Sequence, residues 1–208
     1  MSRETGPKCR ICRRLQVKLY LKGSRCDTPK CAIEKRGRVP GQHGEKRIRL
    51  TDYGVHLRET QRAKRIYGLT DRQFKRYFQE ANRQPGNTGE GLLTLLERRL
   101  DNVVYRLGFA FSRAQARQMI VHGLVRRNGQ KARSPSQWVS AGDVIEPATR
   151  ESARKLMTEI HKAPKGPDMP GWLEVDEEPL RGKVVQLPAV EEIAVPLDAQ
   201  LIVEFASR

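Results

Sequence analysis

The chain has 208 residues, of which 31% are charged and 38% hydrophobic, and its formal net charge at pH 7 is +16. This length allows one large domain or two small ones, and the positive charge favours a polyanionic partner over a merely soluble basic protein. There is neither a membrane-spanning apolar run nor an apolar signal core, so we expect a cytoplasmic protein with reduced thiols and no membrane partner.

The charge is distributed unevenly along the chain. Residues 1–66 carry 19 Lys and Arg against 6 Asp and Glu, residues 67–167 carry 18 against 9, and residues 168–208 carry 3 against 9. We therefore expect the first two segments to contact nucleic acid, and the acidic tail either to face protein or to pack back onto a basic part of its own chain. Only 6% of the residues are aromatic, which disfavours base stacking on aromatic side chains as the main mode of binding.

All four cysteines lie in a short segment, residues 9–31, which we call the cysteine knuckle. They form two pairs separated by a loop, and they are Cys9, Cys12, Cys26 and Cys31. Such pairs can wrap a tetrahedral ion, so the spacing predicts a structural four-thiolate site. Zinc is the favoured cofactor, and an iron–sulfur cluster or unliganded thiols are the alternatives. Because the segment buries little surface, a metal would supply most of its folding energy.

Basic residues surround the cysteine knuckle and continue into a basic arm, residues 34–51. The arm contains glycine and proline and shows no apolar periodicity, so we expect it to be irregular and to become ordered on RNA. In these two segments the predicted RNA contacts are Arg10, Arg13, Arg14, Lys22, Arg36, Arg47 and Arg49.

A mainly helical region follows. Asp52 is the predicted N-cap of a helix that runs to about residue 66. Arg58, Arg62 and Arg65 share one face of this helix, and we predict that Arg58 and Arg62 contact RNA. The alternative is that this stripe is a solvated face.

Two further helices are predicted before residue 98. Thr70 and Gln73 match a capping box and open the first of them. Its aromatic residues recur at helical spacing, which indicates core packing more than base stacking. The second begins near Thr88, after a Pro-Gly-Asn break, and is predicted to continue through residues 98–107.

Residues 98–131 contain the most informative pattern. They predict a helix that Gly108 ends, a second helix in a capping box, and a type I′ hairpin turn between short strands. The positive end of the second helix and the basic side chains beside it would bind a phosphate backbone without entering the deep major groove of A-form RNA. The predicted contacts are Ser112, Arg113, Arg117, Arg126, Asn128 and Lys131.

This stretch resembles the small RNA-binding module named after small-subunit ribosomal protein four. The matching residues are Arg99, Leu100, Asp101, Gly108, Ser112, Arg113, Ala116, Ile120, Gly123, Asn128 and Gly129. The resemblance implies that the Ser-Arg pair, the second helix and the Asn-Gly hairpin form the RNA face. Arg127 departs from the pattern, which usually has an apolar residue there. Either its stem packs while its guanidinium reaches solvent, or it adds a phosphate contact.

The wider chain resembles the bacterial family of that ribosomal protein over nearly its whole length. The supporting motifs are Gly6-Pro7, Pro40 to Gly44, Tyr53 with Leu57-Arg58, Tyr67-Gly68 before Gln73-Phe74, and Leu201 to Phe205. The resemblance implies a structural small-subunit protein that binds small-subunit rRNA at a multi-helix junction and nucleates assembly. It also implies that small-subunit ribosomal protein five is a neighbour and that the protein lies near the point where mRNA enters the subunit. Within the family, an influence on decoding fidelity and repression of the protein's own operon are further implied roles.

The acidic tail is predicted to form short strands or extended segments near residues 172–175, 183–187 and 201–205. The resemblance implies that the tail packs on the helical region, which makes the RNA-binding module an insertion. We therefore expect an α+β protein whose module contains short antiparallel strands. Its predicted parts are the metal-binding knuckle and basic arm (1–51), a helical domain (52–97) completed by 168–208, and the RNA-binding module (98–167).

Two other classes of protein carry this module. Pseudouridine synthases use an Asp in an Arg-Leu-Asp context, but Asp101 would lie within a helix of the module and no second domain of the required size remains. Free-standing regulators or recycling factors are little more than the module, whereas 97 residues precede it here. Because no constellation for nucleophilic or acid–base catalysis is present, we expect neither enzyme activity nor a small-molecule substrate.

Overall fold

The computed structural model describes residues 5–44, 49–163, 169–193 and 195–207. The chain divides into two compact units. Unit 1 comprises residues 1–93 and 195–208, and unit 2 comprises residues 94–194. Unit 2 is thus inserted into unit 1, and the insertion is longer than the predicted module.

The described residues form nine helices and five strands. The helices are α1 (Lys8–Leu15), α2 (Ala32–Lys35), α3 (Asp52–Ile66), α4 (Asp71–Arg83), α5 (Thr88–Glu97), α6 (Leu100–Arg106), α7 (Arg113–Val121), α8 (Glu151–Lys162) and α9 (Ala199–Ala206). The strands are β1 (Val125–Arg127), β2 (Gln130–Lys131), β3 (Val144–Pro147), β4 (Leu173–Glu177) and β5 (Leu180–Val184). Short 3-10 turns cover Gly23–Asp27 and Val190–Glu192. Within the described ranges, none of the helices is both long enough and apolar enough to cross a membrane.

Side-chain caps fix the starts of α3 and α4 in unit 1. The Thr70 hydroxyl accepts a hydrogen bond from the Gln73 N–H, and the Gln73 side chain accepts one from the Thr70 N–H, so the predicted capping box is confirmed. Helix α3 covers the predicted residues, but its N-cap is Thr51 and not Asp52. Thr51 has the extended backbone of a cap, and its hydroxyl accepts from the Gly54 N–H.

The prediction of an extended segment at residues 201–205 is wrong, because these residues lie in helix α9. The carboxylate of Asp198 caps the helix by accepting two backbone hydrogen bonds from its first turn. The helix packs on α3, with Ile202 fully buried and the His56 Nε2 atom 2.8 Å from a carboxylate oxygen of Glu204. A short apolar run does not distinguish strand from helix by itself.

Unit 2 contains one antiparallel sheet with the strand order β2-β1-β3-β5-β4. The hairpin between β1 and β2 turns at Asn128 and Gly129, whose φ angles are 50° and 73°. Positive φ at both central residues is the signature of a type I′ turn, so this part of the prediction is confirmed.

The tail contributes two strands to the sheet of the RNA-binding module. Val144 of β3 lies opposite Lys183 of β5, and β5 pairs in turn with β4. This pairing satisfies backbone groups along an edge of β3 that would otherwise be open. The prediction that residues 168–208 complete the helical domain is therefore corrected, because residues 169–193 belong to unit 2.

The helix predicted to continue from α5 into α6 is interrupted at Arg98 and Arg99. Arg99 is extended, with φ −65° and ψ 135°, and its backbone forms an isolated bridge with Trp138. Its buried guanidinium donates to the Asp101 carboxylate, with an Nη2–Oδ2 distance of 2.6 Å. Apolar periodicity cannot reveal this break, because the pairing partner is distant in the sequence.

The core of unit 2 contains buried side chains from α6, α7, α8 and the sheet. Strand β5 approaches α6 closely where Gly182 meets Leu107. A β-carbon at Gly182 would lie 2.7 Å from Leu107 Cδ2, well inside normal contact distance. Since Leu107 is only 1% exposed, its side chain has little room to move away.

Gly182→Ala is expected to lower the free energy of unfolding of unit 2 by about 1–3 kcal/mol, because the added methyl group overpacks the core at Leu107. Both tryptophans, Trp138 and Trp172, lie in unit 2, so their fluorescence during urea denaturation follows this unit. Gln186→Ala, at an exposed position after β5, is the control. Equal midpoints for Gly182→Ala and the wild type would contradict the close approach.

Candidate nucleic-acid interface

Unit 1 contains a cleft of about 650 Å³, which we call the arginine cleft. It is lined mainly by α1, α3 and the chain that precedes α3. Its basic lining residues are Arg10, Arg14, Arg58 and Arg65, and none of the described residues that line it is acidic. The fold thus brings together three predicted contacts, Arg10, Arg14 and Arg58, which the sequence separates widely.

Helical spacing explains how these arginines share one cleft. Arg10 and Arg14 are four residues apart on α1, and Arg58 and Arg65 are seven apart on α3, so each pair lies on one side of its helix. Arg10 and Arg14 are exposed and Arg58 is half-buried. Within the described ranges, none of these three forms an ion pair with a carboxylate.

Arg62 shares the α3 stripe in sequence but is engaged within unit 1. Its Nη1 atom lies 2.9 Å from a carboxylate oxygen of Glu59 and donates to the Pro196 carbonyl at 3.2 Å. The same Glu59 carboxylate accepts from the Asp198 N–H at 2.9 Å. Arg62 thus helps to hold the segment that leads into α9.

The other predicted contacts of the knuckle and arm occupy different positions. The Arg13 Nε–H donates to the Arg38 carbonyl at 3.0 Å, which ties the arm to α1. Exposed side chains are found at Lys22, Arg36 and Arg49. Arg47 lies outside the described residues.

The four thiols of the cysteine knuckle influence one another electrostatically. None forms a disulfide; Cys9 is half-buried and Cys12, Cys26 and Cys31 are buried. Burial raises the pKa of the Cys12 thiol, a hydrogen bond with the Leu19 backbone opposes this effect, and the nearby Cys26 thiol raises it further. The donor set suits zinc or an iron–sulfur cluster chemically. In the described part of the chain, however, no group of three or more His, Cys, Asp or Glu is arranged to hold a metal ion.

In unit 2, the two predicted arginines of α7 are held by α6. The Arg113 Nε–H donates to the Asn102 side-chain oxygen at 2.7 Å, and the Arg113 guanidinium lies 4.6 Å from the centroid of the Tyr105 ring. Arg117 Nη1 lies 3.4 Å from a carboxylate oxygen of Asp101, and the Arg117 side chain is 11% exposed. Both are on one side of α7, as predicted, and both have partners on α6.

A buried polar network at the start of α6 supports these contacts. Its members are Glu97, Arg99, Asp101, Asn102 and Arg106, and we call it the α6 network. The Arg106 Nε–H donates to the Glu97 carboxylate at 3.1 Å, and the Asn102 amide donates to it at 2.8 Å. Each buried charge therefore has an opposite charge as its partner, which burial requires.

Ser112 occupies the N-cap of α7, as predicted. Its hydroxyl accepts a hydrogen bond from the Gln115 N–H. The Gln115 side chain reaches past the cap and accepts from the Phe111 N–H at 2.9 Å. The predicted capping box is therefore altered in one respect: the Gln115 side chain bonds the backbone N–H of Phe111, one residue before the N-cap, and not that of Ser112.

The hairpin presents two further predicted contacts on one face. Arg126 and Lys131 are partners across β1 and β2, so their side chains leave the sheet on the same side. Arg126 also lines a second cleft, of about 420 Å³, together with Arg154 of α8 and Arg181 of β5. The pairing of the tail with the sheet brings Arg181 to this cleft, but Glu146 and Glu177 line it as well, and Arg181 Nε lies 3.5 Å from a carboxylate oxygen of Glu146.

Arg127 forms an ion pair that sequence analysis did not foresee. Its Nη2 atom lies 2.7 Å from an oxygen of Asp143, which also accepts hydrogen bonds from the Ser140 N–H and the Asn128 side-chain amide. Burial raises the pKa of the Asp143 carboxyl, but these hydrogen bonds and the Arg127 charge outweigh it and bring the pKa below its usual range. Asp143 therefore fixes the hairpin that carries Arg126.

The arginine cleft and the hairpin face define a basic RNA-binding protein with an inserted module. Residues 3–97 match the family described as ribosomal protein S4/S9 N-terminal domain, and residues 98–145 match the S4 domain. The chain belongs to the family of small ribosomal subunit protein uS4, which confirms the resemblance found in the sequence.

Three relatives show how similar the family members are. Small ribosomal subunit protein uS4 of Thermodesulfovibrio yellowstonii is 51% identical over 208 residues, and that of Dictyoglomus turgidum is 53% identical over 208 residues. Small ribosomal subunit protein uS4A of Symbiobacterium thermophilum is 54% identical over 210 residues. Each match covers the whole of both chains. These relatives are structural ribosomal proteins and not enzymes, which removes the RNA-modifying enzyme from consideration.

Asp143→Asn is expected to lower the free energy of unfolding of unit 2 at pH 7 by about 1–3 kcal/mol, because it leaves Arg127 without its anionic partner. The folded-state pKa of Asp143 lies below the unfolded value, so its contribution is complete above about pH 4 and is lost as the pH falls further. The difference from the wild type should therefore shrink in acid. Tryptophan-monitored urea denaturation at several pH values measures it.

The control for that measurement is Glu191→Gln, which neutralises an exposed carboxylate of the same unit. It should leave the midpoint at pH 7 nearly unchanged. A constant difference between Asp143→Asn and the wild type down to about pH 2 would contradict the ionised pairing of Asp143 with Arg127.

Proposed function

We propose that this protein is a structural component of the small ribosomal subunit that binds small-subunit rRNA directly. The observation that carries the proposal is the arginine cleft, where Arg10, Arg14, Arg58 and Arg65 meet and no described lining residue is acidic. Neutralising rRNA phosphates with these guanidinium groups releases condensed counterions, which drives binding. Family membership supplies the type of RNA.

The two units would contact separate parts of the RNA backbone. Unit 1 supplies the arginine cleft, and unit 2 supplies Arg126 and Lys131 on the hairpin face. Arg113 and Arg117 remain proposed contacts; their anchoring on α6 would present guanidinium groups that are already ordered, which lowers the entropy cost of binding. A multi-helix junction offers several backbones at once and suits a protein with two such surfaces.

Binding at a junction also accounts for a role in assembly. A protein that holds two parts of a junction at the same time restricts the angles between its helices, so that later components meet a formed surface. We extend the proposal to small-subunit ribosomal protein five as a neighbour, to contact with mRNA where it enters the subunit, to decoding fidelity, and to repression of its own operon. The support for these finer roles is the family resemblance.

We further propose that Cys9, Cys12, Cys26 and Cys31 hold one zinc ion, with an iron–sulfur cluster as the alternative. The support is the spacing of the two cysteine pairs along the chain and the burial of three of the thiols in a segment with few other buried side chains. A bound zinc ion would take all four thiols as thiolates and so would link the first turns of the chain to residues 23–31. It would thereby hold α1, which carries Arg10 and Arg14, in place.

Arg10→Gln and Arg58→Gln are each expected to weaken rRNA binding and to reduce the slope of log affinity against log salt by about 0.7–0.9, because each removes one phosphate contact. Filter binding of a small-subunit rRNA transcript over a series of salt concentrations measures the slope. Arg76→Gln, an exposed arginine of α4 outside the cleft, is the matched control. Unchanged slopes for both cleft variants would contradict the proposed interface.

Metal analysis of protein purified under reducing conditions should find about one zinc per chain, because four thiolates complete a tetrahedral site. Removing the metal with a chelator should weaken rRNA binding by loosening α1, while the tryptophan signal of unit 2 stays unchanged. Cys26→Ser should abolish stoichiometric zinc. Iron with acid-labile sulfide would favour the cluster, and protein without either metal would contradict the proposal.

A further inference from the structure

We propose that the arginine cleft accepts a single unpaired nucleotide of the rRNA, with its base against the apolar side chains that line the cleft and its phosphate among the arginines. The inference rests on the proposed function and specifies what the cleft binds. Three features of the cleft carry it: apolar side chains beside the arginines, a volume suited to one small group, and a glycine among the lining residues.

Apolar side chains line the cleft beside the arginines, and we call this set its apolar floor. Ile11 and Leu15 come from α1, Leu57 comes from α3, and Leu50 lies just before α3. Leu50 is 36% exposed, so part of this apolar surface is open to solvent. A duplex backbone uses phosphates and hydroxyls and offers nothing to an apolar floor. A nucleobase offers a planar apolar face, and the attached phosphate meets the guanidinium groups.

The size of the cleft separates one nucleotide from a helix. Its volume of about 650 Å³ lies within the range of about 300–1,000 Å³ that is typical of sites for small ligands. Sequence-specific RNA recognition usually targets unstacked bases in loops, bulges and junctions, which cost little to extrude. An unpaired nucleotide therefore fits both the volume and the partner.

Gly54 is one of the α3 residues that line the cleft. Its φ is not positive, so the backbone does not require glycine there. A β-carbon at Gly54 would lie 3.4 Å from Thr51 Oγ1 and 3.5 Å from Leu50 Cδ2, which are ordinary contacts. Gly54 lines the cleft without a side chain, so a large side chain there is expected to take up part of its volume.

The test compares the wild-type chain with Gly54→Phe, which places an aromatic ring in the cleft. Each protein is bound to a small-subunit rRNA transcript, and base-reactive reagents report the reactivity of every nucleotide. We expect the wild type to change the reactivity of an unpaired nucleotide that Gly54→Phe leaves unchanged, while the other protections stay. Removing that base from the RNA should lower wild-type affinity by about ten- to a hundredfold, the effect of leaving an apolar surface of this size uncovered, and should not lower Gly54→Phe affinity further.

Two additional variants separate filling of the cleft from a general effect of the added ring on folding. Val55→Phe adds the same ring to the next residue of α3, whose side chain is 38% exposed and does not line the cleft, and it should behave as the wild type. Leu50→Trp fills the cleft from an exposed position and should reproduce the effect of Gly54→Phe. Circular dichroism of each variant checks that the helices are retained.

The outcomes distinguish the inference from the proposed function. Specific rRNA binding with the same reactivity pattern in the wild type, Gly54→Phe and Leu50→Trp would overturn the nucleotide site and leave rRNA binding in place. If these variants kept that pattern but lost binding of a neighbouring subunit protein, the cleft would be a protein-binding site and the inference would be overturned. Failure of the wild-type chain to bind the transcript specifically would overturn both.

Discussion

The architecture of unit 2 depends on two buried carboxylates at the junction of α5 and α6. Glu97 is 1% exposed and pairs with Arg106, and Asp101 pairs with the buried Arg99. Buried charges persist only where partners and hydrogen bonds compensate for lost hydration. These pairs therefore tolerate few arrangements of the two helices. Because Asp101 also meets Arg117, the network determines where the basic side of α7 lies.

The parts of the fold that sequence predicts well are those with local causes. The Thr70 capping box, the Ser112 cap and the Asn128-Gly129 turn each depend on residues within four positions of one another. The break at Arg99 and the addition of β5 to the sheet have distant causes, Trp138 in one case and the strand pair Val144–Lys183 in the other. Pairings between residues so distant in the sequence leave no local sequence pattern from which they could be predicted.

The candidate interface shows the same division. Charge alone was enough to select Arg10 and Arg58, but only the packing of α1 near α3 shows that they share a cleft with an apolar floor. The Glu59–Arg62 pair is an i, i+3 contact, so its charge pattern was visible in the sequence. The partner of Arg127 was not, because Asp143 lies 16 residues later in the sequence and is brought to Arg127 only by the pairing of β1 with β3. Composition identifies cations, and tertiary contacts decide which of them face a ligand.

The insertion of unit 2 has a consequence for biosynthesis. Helix α9 covers α3, yet the ribosome makes it more than a hundred residues later. At about 5–20 residues per second, the α3 surface that receives Ile202 waits on the order of ten seconds for its partner. A nascent chain can complete unit 2 first, whereas unit 1 closes only after translation has passed α9. A message cut short before that point would yield a protein with a finished RNA-binding module and an unfinished first unit.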